Sequence, residues 1–361
     1  MMMMMNPEKK LKSHERNCIS IDRFGDQGGY FDVVVKPMLQ QGHEGELCGW
    51  LREMSLLRTF VACPQEECNG RNLIWRPARV IDKYKWICAD CKAVQSIRDK
   101  SFFITIKCEL KICLQVILAW CQQEFSEVTA ANLGIKEHVV KKVYERCDKV
   151  VESYVQKHPE EWFLGGPGSI IIVDEFPGGY MTENIFDNTN NRKRNNNSHS
   201  ILCIAETNLS FGIPAVQPRI WLHMIKANPV PTKMDENDTF TKSKCGMVEE
   251  ALSEIVKHVA RGSFIVANGR ARCCNYESVK ELNQYHVISV EYLQKFDTNG
   301  LKLASSLETI WQTGIEICEE VQDATRSIGK NIIANYLWRQ RFGISPFQTI
   351  LNHIAECYKF T

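Results

Sequence analysis

Gly165-Gly166-Pro167-Gly168-Ser169-Ile170-Ile171-Ile172-Val173-Asp174-Glu175 is the stretch that decides the fold class. Three glycines and a proline within four residues make a turn. The apolar run that follows, Ile170–Val173, is continuous instead of alternating, so it reads as a strand buried on both faces. Two carboxylates, Asp174 and Glu175, stand at its carboxyl end. A carboxylate at the end of a central strand is well placed to hold a divalent cation.

Outward from this strand the pattern continues. Ser200–Glu206 and Ser263–Ala267 read as further strands, Met247–Ala260 as an amphipathic helix between them, and Glu277–Leu282 as the start of another helix. Strands alternating with helices predict an α/β domain, a mixed sheet with flanking helices.

Upstream, four cysteines are spaced as ligands. Cys63 and Cys68 form Cys-x4-Cys, Cys88 and Cys91 form Cys-x2-Cys, and Asn72–Trp75 and Lys85–Ile87 between them read as short strands. Two such knuckles can present four thiolates to one tetrahedral zinc ion, which predicts a zinc ribbon over residues 46–100. A module of roughly fifty residues buries little apolar area, so structural zinc would supply much of its folding energy. The chain has 16 cysteines, but Cys108, Cys113, Cys121, Cys147 and Cys318 fall singly in helix-like patterns, where a thiol acts as a small buried hydrophobe.

Residues 101–160 carry a second signal. The strongly apolar stretch Phe102–Cys121 predicts a buried helix, entered through a short strand. Ser126–Leu133 reads as a short helix stopped by Gly134, and Lys136–Tyr144 as a second helix with basic exposed positions. Helix, glycine turn and basic helix make a helix-turn-helix pattern, with Lys136, His138, Lys141 and Lys142 as candidate DNA contacts. The same spacing also suits two amphipathic helices that pack a core and solvate their lysines.

Net charge is only +1, from 44 Lys+Arg against 43 Asp+Glu, so global electrostatics do not mark a nucleic-acid binder. Local electrostatics do. Eight bases stand against three acids between Arg71 and Lys100, and Arg76 and Arg79 within that segment join the candidate DNA contacts. The length of 361 residues predicts two or three domains, and 44% hydrophobic with 24% charged residues excludes a disordered or fibrous chain. The longest apolar runs fall well short of the ~18 residues that a membrane span needs. No secretory leader is expected, residues 1–45 are expected to form a disordered tail, and the protein is expected to be intracellular: nuclear in a eukaryote, cytoplasmic otherwise.

From about Cys48 to its end, the chain resembles Merlin-type DNA transposases, which are related to a group of bacterial insertion-sequence transposases. The resemblance is carried by the four-cysteine ribbon, the Ser96–Phe103 stretch behind it, the helix-turn-helix, and Gly165–Gly168 before the strand ending in Asp174-Glu175. It continues through Ser306-Leu307-Glu308-Thr309-Ile310-Trp311, Tyr336-Leu337-Trp338-Arg339 and Phe347–Tyr358.

The resemblance implies that residues 165–361 form an RNase H-like domain with C-terminal helices. It further implies a catalytic Asp, Asp, Glu triad that holds two magnesium or manganese ions for phosphoryl transfer on DNA. The first acid maps to Asp174 and the third to Glu308, but the second position, after the strand Ser263–Ala267, is Asn268. An amide there removes one negative charge from a site meant for two dications. Leu303-Ala304-Ser305 stands where the family has His-Thr-Asn, and Val290-Glu291 where it has Asn-His. An asparagine-rich insert, Asn188–Asn197, holds Arg192-Lys193-Arg194 where the family has a basic stretch.

The reading is therefore a transposase-derived DNA-binding protein whose strand cleavage is impaired. Its implied partners are double-stranded DNA, such as terminal inverted repeats, and further copies of itself. An active cut-and-paste transposase and a protein-interaction scaffold are the alternatives.

Overall fold

The computed structural model describes residues 30–68, 73–176, 200–207, 219–225, 239–267, 285–289, 316–317, 319–321 and 324–360. The described residues divide into two compact units, one drawn from Met1–Tyr154 with Arg341–Thr361 and the other from Val155–Gln340.

The first unit begins with two short irregular helical turns, Phe31–Val35 and Lys36–Leu39, and helix α1 (Glu44–Glu53). A three-stranded antiparallel sheet follows in the order β1 (Leu73–Pro77), β2 (Tyr84–Cys88), β3 (Val94–Ser96). Its register sets Trp75 opposite Trp86 and Pro77 opposite Tyr84, so the three aromatic rings share one face. Trp75 meets Trp86 edge-on at 5.0 Å and stacks on Tyr84 at 5.4 Å. Arg52 of α1 lies 5.1 Å above the Trp75 ring, adding a cation–π contact to this small core.

Helices α2 (Leu110–Cys121), α3 (Ser126–Leu133) and α4 (Glu137–Lys157) come next. Gly134 takes the left-handed conformation at φ +62° and ends α3, its N–H returning to Ala130 and Ala131 carbonyls as the glycine in the sequence predicts. Along α4, Val139, Val140, Val143, Cys147, Val150 and Val151 are buried at helical spacing. The segment before α2 is a chain of turns, not the short entering strand that the sequence suggests. Helix α7 (Pro346–Cys357) belongs to this unit: Phe347 packs edge-on against Phe31, and Tyr358 against Phe102.

The second unit is built on a five-stranded sheet, ordered β6–β5–β4–β7–β8, of strands β4 (Ile170–Phe176), β5 (Ser200–Thr207), β6 (Arg219–Ile225), β7 (Phe264–Ala267) and β8 (His286–Ser289). β4, β5 and β6 pair antiparallel, whereas β4, β7 and β8 pair parallel, so the sheet is mixed. The parallel step from β4 to β7 requires a crossover, and helix α5 (Thr239–His258) lies on that path. β4 is the middle strand, and Ile171, Ile172 and Val173 are buried as the continuous apolar run requires. Helix α6 (Arg326–Phe342) approaches β6 closely. At Gly329 an added Cβ would stand 2.4 Å from the Met224 methyl, which is why the helix carries a glycine there.

The Gly165–Gly168 turn is held from inside. Ser263 is fully buried, accepts a hydrogen bond from the Gly166 N–H at 3.0 Å, and donates to the Ala260 carbonyl at 2.7 Å. Gly165 has φ +83°, and a Cβ there would sit 2.3 Å from Ser263 Oγ. The glycines thus seat the entry to the central strand.

Candidate metal centre

Cys88 ends β2, opposite Leu73. The chain then turns through Ala89 and Asp90 to Cys91, and Lys92 adopts φ +63° to bring Ala93 back to the Cys88 N–H at 2.9 Å. Cys63 and Cys68 arrive from the segment before β1, where Gln65 accepts the Cys68 N–H at 3.1 Å.

The four sulfurs converge. All lie within 4.8 Å of one another, with Cys63 Sγ 3.5 Å from Cys91 Sγ and Cys68 Sγ 3.7 Å from Cys88 Sγ. Four thiolates about 2.3 Å from a tetrahedral zinc ion are separated by about 3.8 Å, so the donor set and the spacing fit such an ion. The N–H of Cys91, with that of Asp90, points at Cys88 Sγ and pulls its thiol down to about 7 against its burial. A thiol so placed reaches the ligating thiolate form near neutral pH. At Cys63, by contrast, a Gln65 backbone hydrogen bond is outweighed by burial and the other three sulfurs, which push that thiol up to about 12. Among the described residues this is the cluster of His, Cys, Asp and Glu side chains whose geometry can hold a metal ion.

The sheet that carries Cys88 is tied to the approach to α2 by a pair that spacing in the sequence does not reveal. Arg98 is buried and its Nε donates to Asp82 Oδ2 at 2.8 Å, with a second bond from Nη2 to Asp82 Oδ1. The same guanidinium donates to the Ile106 and Cys108 carbonyls, each at 2.6 Å. One side chain thus ties the turn after β1, the segment after β3 and the approach to α2.

The basic candidates fall into two groups. Arg76, Arg79, Lys136 and His138 are exposed. Lys141 is engaged by Glu137 one helical turn earlier at 2.5 Å, and Lys142, partly exposed, donates to the Thr105 carbonyl at 3.2 Å. The last two therefore already have partners within the fold.

In the second unit, Asp174 and Glu175 are 2% and 0% exposed near the end of the central strand. Asp174 stands opposite Cys203, and its Oδ1 accepts the Glu175 N–H at 2.8 Å. Val173 is paired with Ala267, the last residue of β7. Asn268 and Glu308, the other two members of the expected acidic triad, lie outside the described residues, as do Arg192–Arg194, Val290-Glu291 and Leu303–Ser305. Among the described residues no helix is long and apolar enough to cross a membrane. No family model matches the chain, and no curated protein matches it either.

Proposed function

We propose that the protein is a transposase-derived DNA-binding protein: a zinc ribbon and helix-turn-helix that grip double-stranded DNA, joined to an RNase H-like domain with weakened strand cleavage. The observation that carries the reading is the four-sulfur cluster set in a segment rich in exposed bases. A structural zinc there fixes a small, cationic sheet, and cations on a rigid support suit a polyanion.

The second unit adds support. Its sheet is mixed, its middle strand carries a buried Asp174 near the carboxyl end, and β7 runs parallel beside it and leads in sequence to position 268. In the resemblance this is where two metal-holding acids belong. With Asn268 at the second position the site loses one negative charge, and losing a ligating carboxylate costs at least the 10–100-fold that outer-shell changes cost.

Three measurements test the reading. Metal analysis of the whole protein finds about one zinc per chain, and Cys88→Ser releases it. Binding to a DNA duplex weakens steeply as salt rises; binding that is absent or insensitive to salt favours the interaction scaffold instead. In magnesium or manganese, terminal-repeat DNA is cut weakly or not at all, and Asn268→Asp gains cleavage. Robust nicking by the wild type, abolished by Asp174→Ala, overturns the impaired-catalysis reading in favour of an active transposase.

A further inference from the structure

Two observations on the three-stranded sheet are left unused by a metal site alone. The first is its second face. Opposite the aromatic side, the register aligns Ile74 with Ile87 and Ile87 with Val94, and one row further on Arg76 with Lys85 and Lys85 with Ser96. Ile74 is 42% and Val94 56% exposed, so an apolar row lies open beside a polar, cationic one. The apolar row is at the cysteine end of the sheet and the cationic row at the hairpin end, where Arg79, Lys83 and Lys100 also fall in the flanking turns.

The second is backbone conformation. Six non-glycine residues among those described have positive φ, and three are lysines of this small sheet: Lys83 at +62°, Lys92 at +63° and Lys100 at +57°. Glycine adopts that conformation without penalty, while a residue with a Cβ is disfavoured. All three lysines are exposed; Lys92 donates its amine to the Ala89 carbonyl at 2.5 Å within the cysteine turn, and Lys83 and Lys100, at the hairpin end, each carry an amine where local sterics favour glycine. Non-glycine residues held in that conformation cluster at ligand-contacting sites. Of the acids in the segment, Asp82 is taken by Arg98, Asp99 lies 3.7 Å from Arg58, and Asp90 is exposed in the cysteine turn at the far end of the sheet. The exposed charge at the hairpin end is left positive.

We infer that this open sheet face, with the left-handed lysines of its turns, is the surface on which the ribbon seats duplex DNA: the hairpin-end bases take phosphates while the Ile74–Ile87–Val94 row packs on sugars or base edges. The inference rests on the DNA-binding reading above and gives the ribbon's share of it an address. Charge complementarity selects the occupant, because a phosphate backbone presents closely spaced anions to a row of cations.

The test uses the zinc-loaded full chain and a mixed-sequence DNA duplex, with affinity measured across a salt series. Lys83→Gly with Lys100→Gly relieves two strained positions, so the melting temperature holds or rises. Affinity nevertheless falls about tenfold at low salt, and the slope of log affinity on log salt becomes shallower by about two. Arg76→Gln with Lys85→Gln changes the slope similarly. Ile74→Ser with Val94→Ser lowers affinity while leaving the slope and zinc content unchanged. If DNA binding and its slope survive both charge-removing pairs, this face is not the seat, and the helical bases carry a DNA-binding reading that itself still stands. Tighter binding to polyglutamate than to the duplex overturns the choice of occupant. If the wild type fails to bind duplex DNA at all, the inference and the reading beneath it fall together.

Discussion

Glu254 sits on α5 between two imidazoles, 3.4 Å from His223 Nδ1 and 3.5 Å from His258 Nε2, and accepts the Trp221 indole N–H at 3.0 Å. Burial opposes its charge, but the His258 and His223 rings outweigh burial and hold the carboxyl down at about 2, against an ordinary 4.5. A carboxyl lowered on folding contributes stability above its unfolded value and loses it as pH falls toward its folded one. The protein is expected to weaken between about pH 4.5 and pH 2, and Glu254→Gln to flatten that decline in a denaturant series. Arg98 is a residue of the opposite kind, a cation fully committed to structure. Arg98→Met strands Asp82 and two carbonyls in the interior, and removing one member of a buried ion pair costs about 3–5 kcal/mol. Urea unfolding of the first unit should register a loss of that size. Asp82→Asn, which keeps shape and one acceptor, should cost less.

At the scale of elements, turns and spacings translate directly from sequence, while partners distant along the chain do not. The pairs Cys63/Cys68 and Cys88/Cys91 are legible because metal coordination imposes a short local spacing, and their sulfurs do meet. The run Ile170–Val173 is legible because a strand covered on both faces needs no alternation. Gly134 likewise marks the end of α3. By contrast, Arg98 and Asp82 are sixteen residues apart with no periodic relation, and nothing local announces that they meet. Helix α5 begins at Thr239, earlier than the amphipathic stretch from Met247 suggests, since periodicity reports the face that packs and not the first turn. The C-terminal stretch Arg341–Thr361 groups with the N-terminal unit, where the sequence reading runs it on from the sheet; contacts such as Phe347 with Phe31, Tyr358 with Phe102 and His353 with Tyr154 reveal this. The Gly165 turn offers a sharp check. Gly165→Ala meets both the φ of +83° and the Ser263 hydroxyl, and overpacking of this sort costs about 1–3 kcal/mol. Gly166→Ala also takes an unfavourable φ, but no atom stands within 4 Å of its Cβ, so thermal melts should show the smaller loss there.

At the scale of the molecule, the four-cysteine cluster and the apolar core support different parts of the chain. Chelation should loosen residues 61–100 and the segments that Arg98 ties to them, seen as faster amide hydrogen exchange, while the β4–β5–β6 ladder keeps its protection. Uniform exchange across both units after chelation would mean that the cluster holds more than its own sheet. The sheet of the second unit is foreseeable as mixed and helix-flanked, but its strand order is not, because the pairing partners of β4 are β5 and β7, which strand β6 and helix α5 separate along the chain. Among the described strands, that order leaves β6 on an outer margin. There the Ile220 amide is met by Gln340 Oε1 at 3.2 Å, and the Met224 and Ile225 carbonyls are met by Arg326 at 3.1 and 3.3 Å. A margin on which side chains already hold three backbone groups makes a poorer template for a neighbouring chain. A copy that sought to extend the ladder here would first have to displace Gln340 and Arg326, a local obstacle to fibrous growth along the apolar strands.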